Sequence, residues 1–360
     1  MAPQGSRTGS RSIRYGTDKM NPKHILETAF AFRASKVLLT AVELGVFKSL
    51  AHGKQSAADL AHMLGLQGRG AADFFDALVA LGFLDRDGNG LYGNTLETSA
   101  YLDPDGTEYV GDLIEYLNGR VYPTWNFLTQ ALRQGAPQRG PAASGGFSTF
   151  YSDRDAFDLF LKGMNGGSRL AGRALAKHFP WQSYDTVIDV GSARGGVAVE
   201  LAKAHRHLRG GGFDLQELRD PFESYVRSCG FDDRLKFFGG NFFADPLPTA
   251  DVLILGRVLH DWSVPQRELL IRKAHAALPA RGALIVYEAF IDDSRRKPGG
   301  LLSSLNMLLQ TTDGSEFTTH QCGAWMQEAG FVGTRVIPLT DTHAAVVGTK
   351  GSQPQPIASS

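Results

Sequence analysis

Between residues 21 and 44, apolar side chains recur at steps of three and four: Ile25, Leu26, Ala29, Phe30, Ala34, Val37, Leu38, Ala41 and Leu44. That period predicts a long helix with one apolar face. Ser56 stands where it can cap a shorter helix through Leu60 and Met63, and residues 69–81 repeat the helical spacing with Phe74, Phe75, Leu78 and Val79. Phe83 and Leu84, a turn at Asp87, Gly88, Asn89 and Gly90, then Leu91 and Tyr92 predict a small hairpin. Three helices followed by a hairpin make a winged-helix unit. Residues 111–132 carry a helical pattern with Tyr116, Tyr122, Trp125 and Phe127, residues 135–146 are rich in Gly and Pro and read as a loop, and residues 153–178 predict a further helix.

From Tyr184 onward the pattern changes to short apolar runs alternating with helical stretches. Strands are predicted at 186–190, 211–213, 235–238, 252–255 and 283–287, with helices at 197–205, 221–229 and 266–277 between them. This alternation is the mark of a doubly wound parallel sheet, so the fold class is α/β. A last helix at 319–329 and strands at 335–338 and 344–349 would close one edge antiparallel. The expected division is a flexible tail at 1–20, a winged-helix domain at 21–110, a helical connecting segment at 111–175, the sheet domain at 176–350 and a second tail at 351–360.

Composition narrows the function classes. A chain of 360 residues favours two domains over one. Lys plus Arg and Asp plus Glu are 37 each, so the net charge is 37 − 37 = 0. With Asp73 and Asp76 on the would-be recognition helix, this speaks against a nucleic-acid partner; winged-helix units also serve as dimerisation platforms. No run approaches the roughly 18 apolar residues of a membrane helix, and the first 20 residues hold no apolar leader. Cys229 and Cys322 stand in neither metal-ligand nor redox spacing, which suits a reducing, cytoplasmic setting.

The chemistry-bearing motifs lie at strand ends. Asp189, Val190, Gly191, Ser192, Ala193, Arg194, Gly195 and Gly196 end the first strand and open a helix, where bare backbone and free amides can meet an anionic or polar ligand. The spacing is not that of a dinucleotide fingerprint. Asp214 ends the second strand, where a carboxylate can accept both hydroxyls of a ribose, so a nucleoside-containing ligand is expected. Gly240, Asn241, Phe242 and Phe243 follow the third strand, and Arg257, Val258, Leu259, His260, Asp261 and Trp262 follow the fourth.

With these motifs in place, the chain resembles, between residues 21 and 350, the S-adenosylmethionine-dependent small-molecule O-methyltransferases of the plant caffeate and bacterial acetylserotonin type. The resemblance implies a class I methyltransferase sheet with an N-terminal winged-helix dimerisation domain, acting as a homodimer. It implies S-adenosyl-L-methionine as cofactor, S-adenosyl-L-homocysteine as product and no metal. It puts Gly191, Asp214, Asn241, Phe242 and Arg257 on the cofactor, with Asn241 standing where the family usually has Asp. It makes His260 the general base, flanked by Glu288 and Glu316, and puts Met164, Asn165, Met307 and Thr311 on a hydroxylated aromatic acceptor. A His near pKa 6.5 can take the proton of a phenol as the carbon–oxygen bond forms.

Three other readings stay open at this stage. The methylated atom can be nitrogen or carbon on the same fold. A non-catalytic regulator sensing the cofactor is a second, and the third is a metal-dependent relative with a further His ligand. For that last reading residues 310–316 offer no His, and His320 sits beyond them on a polar helix start.

Overall fold

In a computed structural model, residues 21–106, 108–138 and 154–351 are described. The expected tail at 1–20, residues 352–360 of the expected tail at 351–360, and residues 139–146 of the expected loop lie outside the described residues.

The first helical stretch is interrupted. Helices α1 (Lys23–Phe30) and α2 (Phe32–Glu43) meet at Ala31, whose amide donates to the Thr28 carbonyl three residues back, so the turn tightens there. Helices α3 (Val46–Ser49), α4 (Ala57–Met63) and α5 (Gly70–Ala80) and strands β1 (Leu84–Arg86) and β2 (Tyr92–Asn94) complete a winged-helix arrangement. Ser56 caps α4 by accepting the Asp59 amide at 3.1 Å. A core of Ala41, Val46, Phe47, Leu60, Phe75, Leu78, Leu84 and Tyr92 holds these elements together. Apolar residues at the other side of α1 and α2 stay in solvent, with Ile25 71% and Phe32 53% exposed.

Helix α6 (Leu96–Tyr101), absent from the expected elements, follows and is opened by a Thr95–Thr98 capping box. The expected helix at 111–132 is broken into pieces: α7 (Gly111–Tyr116), a wide π turn at Leu117–Val121, the single turn α8 (Tyr122–Thr124), a 3-10 turn and α9 (Leu128–Gln134). Helix α10 (Arg154–His178) follows, with Phe160 against Tyr116 of α7 and Ala171 and Leu175 in the core beneath the sheet.

The sheet has seven strands: β3 (Thr186–Val190), β4 (Arg209–Asp214), β5 (Leu235–Gly239), β6 (Val252–Gly256), β7 (Ala283–Glu288), β8 (Phe331–Pro338) and β9 (Ala344–Lys350). Their order is β5-β4-β3-β6-β7-β9-β8, parallel except where β9 pairs with β7 and β8. Side chains alternate between two cores, as the pleat requires. Ile188, Val190, Leu253, Leu255, Leu284 and Val286 face helices α13 (Val264–Ala277) and α15 (Thr319–Glu328). Val187, Val252, Ile254 and Ile285 face α10 and helix α11 (Gly196–Ala204). Helix α12 (Arg219–Ser228) packs beside β5, and helix α14 (Pro298–Gln310) lies after β7. The strand order reverses on either side of β3, and the crevice at the carboxyl ends of β3 and β6 is where such sheets receive ligands.

Candidate active site

That crevice opens into a cavity of about 690 Å3. Its floor is the strand ends, and its walls come from the broken helix at 111–121, α10 and α14. The π turn that lines it with Leu117 and Val121 is tied to α2 through Asn118, which accepts from Lys36 at 2.7 Å and donates to Glu43 at 2.6 Å. A single wide turn of this kind inside a helix is rare and is frequent at functional sites.

On one side of the cavity lie Gly191, Ala193, Asp214, Asn241, Phe242 and Arg257. Gly191 has φ +79°, and a Cβ there would stand 2.6 Å from Val258 Cγ2, so only glycine lets the turn close against the β6 loop. Asp214 accepts the Ala193 amide at 2.8 Å and the Leu215 amide at 2.8 Å, one on each oxygen, which fixes the carboxylate and leaves its outer lone pairs for a ligand. Burial, working against these two amides, pushes its pKa up to about 6. Asn241 Oδ1 already accepts the Phe243 amide at 2.9 Å, which keeps one lone pair for another donor. Phe242, Phe243 and Trp262 pack edge to face beside it, with ring centres 4.7–5.9 Å apart. Arg257 sits in the left-handed region at φ 55°, with no hydrogen bond or ion pair to its guanidinium among the described residues.

On the other side, the turn at Leu259–Asp261 presents His260, which is 5% exposed. Its Nδ1 lies 2.9 Å from Glu316 Oε1 and 3.2 Å from Glu288 Oε2. Glu288 ends β7 at 0% exposure, and Glu316 comes from the loop before α15. Ser303 of α14 donates to the same Oε1 at 2.8 Å, and Glu288 Oε1 accepts the His260 amide at 3.3 Å. With Nδ1 facing the acids, Nε2 is the nitrogen left for the cavity, 3.7 Å from Asp261 Oδ1. Burial alone would push the imidazole down, but Glu288, Glu316 and Asp261 outweigh it and raise His260 to about 10. Glu316 is lowered by the imidazolium and by Ser303 against the cost of burial, whereas Glu288 is raised to about 8 by burial and by the charge of Glu316. A proton on Glu288 also supplies a donor to a cluster in which one oxygen of each acid otherwise has no hydrogen-bond partner.

The three groups lie within 4.8 Å of one another, close enough to share a cation. Oε1 of Glu316 is however already engaged by two donors, and Nδ1 points at the acids, so the set is arranged to hold protons.

Of the remaining expected site residues, Met164 and Met307 line the cavity. Thr311 lines it too, but its hydroxyl donates to the Met307 carbonyl at 2.8 Å and accepts the Gly314 amide at 3.0 Å, closing the end of α14. Asn165 is not a lining residue: its amide oxygen packs against the start of α11 at Gly196. His320 is exposed. Tyr116, Asn306 and Gln310, to which the sequence assigns no site role, also line the cavity; Gln310 donates to Asn306 at 3.2 Å. Pro298 at the start of α14 was the available signal for the helix that carries the last two.

Comparison with known proteins bears on this geometry. Residues 125–332 match the O-methyltransferase domain, and residues 26–104 match the O-methyltransferase dimerisation domain. The chain is 40% identical over 335 residues to the tetracenomycin polyketide synthesis 8-O-methyl transferase TcmO of Streptomyces glaucescens, covering 93% of this chain and 98% of that one. It is 36% identical over 311 residues to the N,N-dimethyltransferase OxyT of Streptomyces rimosus, covering 86% and 90%. Human N-acetylserotonin methyltransferase, solved in complex with SAM, superposes with a TM-score of 0.84 at 28% identity, covering 94% of this chain and 100% of that one.

Proposed function

Because the chain belongs to the S-adenosylmethionine-dependent O-methyltransferases that carry their own dimerisation domain, we propose that it methylates a phenolic hydroxyl of an aromatic small molecule, with His260 as general base. The chain is a methyltransferase, and its cofactor is S-adenosylmethionine. The observation that carries the rest is the pairing of His260 Nδ1 with Glu316 and Glu288 at the wall of the cavity that also holds Asp214.

The residues present fit the cofactor: a glycine turn with no room for a side chain, a carboxylate fixed by two amides and a group of three aromatic rings. Gly191, Asp214, Asn241, Phe242 and Arg257 would hold it. When bound, it supplies an electrophilic methyl group on a positively charged sulfur.

The protein's part is to bring an acceptor oxygen in line and to move one proton. Glu316 and Glu288 fix the orientation of the imidazole and favour its charged form. In the neutral imidazole, formed when His260 gives up the proton it holds at rest, Nδ1 faces the acids and Nε2 is placed to take the acceptor's proton. A phenol titrates near 10, in the range to which the acids raise His260, so the proton is shared between near-equal partners, a favourable condition for general base catalysis. Met164 and Met307 offer adaptable thioethers to a flat ring, and Asn306 and Gln310 offer amides to its polar substituents.

The working form in this reading is a cytoplasmic homodimer with no nucleic-acid partner. Support comes from the exposed apolar side of α1 and α2 and from Asp76, which is engaged by the Tyr92 hydroxyl at 2.7 Å within the wing. No described helix is long and apolar enough to cross a membrane. The domain limits proposed are those of the sequence reading, at about residues 110 and 175, the typical size of such units.

The likeness to OxyT favours one second reading, an amine acceptor. Purified protein incubated with S-adenosylmethionine and matched pairs of phenols and aromatic amines separates the two. Methyl ethers among the products, identified by mass, are expected. Methylation of amines alone would overturn the oxygen assignment.

A further inference from the structure

His260, Glu288 and Glu316 reach the site from three separate segments, and something must hold them in register. Between the first and the last of these lies Arg267 on α13, 2% exposed. Its Nε donates to the Trp262 carbonyl at 2.8 Å, two residues beyond His260. Its Nη2 donates to the Ser315 carbonyl at 2.8 Å and to Ser315 Oγ at 2.9 Å, one residue before Glu316. The Ser315 amide in turn donates to the His260 carbonyl at 2.8 Å. A closed ring of hydrogen bonds therefore runs from the His260 turn through Arg267 to the Glu316 loop and back.

No carboxylate pairs with this guanidinium within 4.0 Å among the described residues; it lies instead over the rings of Phe317 at 4.7 Å and Trp325 at 5.7 Å. Burial disfavours the charged guanidinium, and Glu288, Glu316 and Asp261 offset that only from beyond ion-pair distance, so an aliphatic side chain would fill the same space at less expense. The charge and its fork of donors therefore need a purpose beyond packing.

We propose that Arg267 is a positioning residue for methyl transfer: it clamps the His260 turn to the Glu316 loop and so sets the Nδ1 to Oε1 contact that aims the base. The proposal rests on the reading of His260 as base. Among the described residues, the charged and titratable groups around the cluster are Asp261 and Arg257 near the turn, Glu288 on β7, Glu316 itself, Arg267 on α13, Cys322 on α15 and His343 from the β8–β9 turn. Arg267 is a nearby fixed positive charge, so its loss makes every proton in the cluster harder to remove.

The test compares Arg267→Gln, Arg267→Lys and Ser315→Ala with the unmodified enzyme, measuring kcat, acceptor KM, cofactor Kd and the pH profile, with His260→Ala in parallel. Arg267→Gln is expected to lower kcat about 10- to 100-fold with cofactor Kd held within about threefold, and Arg267→Lys to recover part of the loss. The acid limb of the Arg267→Gln profile is expected about half a pH unit or more higher. Ser315→Ala removes one of the three bonds, and about a two- to fivefold loss of kcat at unchanged cofactor Kd is expected even if Arg267→Gln does not fold.

Wild-type kcat in Arg267→Gln overturns the proposal. So does an equal loss in the Gln and Lys variants with an unmoved acid limb, which makes Arg267 a packing residue. If Arg267→Gln does not fold and Ser315→Ala behaves as wild type, the proposal also fails. Full turnover in His260→Ala instead sinks the base assignment, whatever the Arg267 variants do.

Discussion

Glu316 Oε1 accepts from His260 Nδ1 at 2.9 Å and from the Ser303 hydroxyl at 2.8 Å, so the acid that orients the imidazole is itself held by α14, the helix that lines the acceptor wall. Replacing Glu316 by Gln keeps an oxygen for both donors and removes the charge. Turnover is expected to fall about 10- to 100-fold. The sign for pH is set by the lost negative charge, which lowers the imidazole pKa, so the acid limb should move to lower pH. An acid limb that moves upward would remove Glu316 from this role.

The resting cluster holds His260 protonated at neutral pH, with Glu316 ionised and Glu288 neutral. The productive complex has one proton fewer than free enzyme plus phenol. Thus kcat/KM with a phenolic acceptor should rise with pH from neutrality towards about 10, the value of His260. A profile flat between pH 7 and 9 would contradict the assignment.

The same shifts predict a trend in stability. His260, raised from 6.5 to about 10, stabilises the fold fully below its unfolded value, and that contribution is lost as pH climbs through 10. Glu288, raised from 4.5 to about 8, contributes in the same direction, fully below 4.5 and lost through 8. Glu316 is lowered and acts the opposite way, at acid pH. The melting temperature is therefore expected to decline between pH 7 and pH 10, with a shallower decline in Glu288→Gln, measured by calorimetry.

Asp214 accepts one backbone amide on each oxygen, so Asp214→Asn keeps the size, removes the charge and leaves one of the two amides facing an NH2 that cannot accept. Cofactor affinity by titration calorimetry is expected to drop about tenfold or more, while kcat at saturating cofactor changes little. Unchanged affinity would place the ribose elsewhere.

Ile25, Leu26, Phe30 and Phe32 expose a connected apolar side on α1 and α2. Light scattering should report a dimer, and the pair Ile25→Glu with Phe30→Glu should shift it to monomer. A monomeric wild-type protein refutes the homodimer.

Much of this was legible in the sequence because the central strands are short apolar runs, buried on both faces, that end in residues with chemistry: Gly191, Asp214, His260 and Glu288 all sit at or just past a strand end. The strands of the sheet appear within a few residues of their expected limits. Features set by contacts between distant segments were not legible. The break at Ala31 and the π turn at Leu117–Val121 interrupt patterns that are helical in sequence, and Asn118 joins the second of these to Lys36 and Glu43, some 80 positions away. Asn165 follows Met164, yet the helix turns its side chain from the cavity towards Gly196. Arg267 reads as one more polar helix residue until Ser315, 48 positions later, folds over it.

The most direct test is a paired measurement on His260→Ala: titration with S-adenosylmethionine, and kcat with a phenolic acceptor. The account predicts cofactor affinity within about threefold of wild type and turnover lowered at least about a hundredfold. Turnover retained, or lost together with cofactor binding, would contradict His260 as the base.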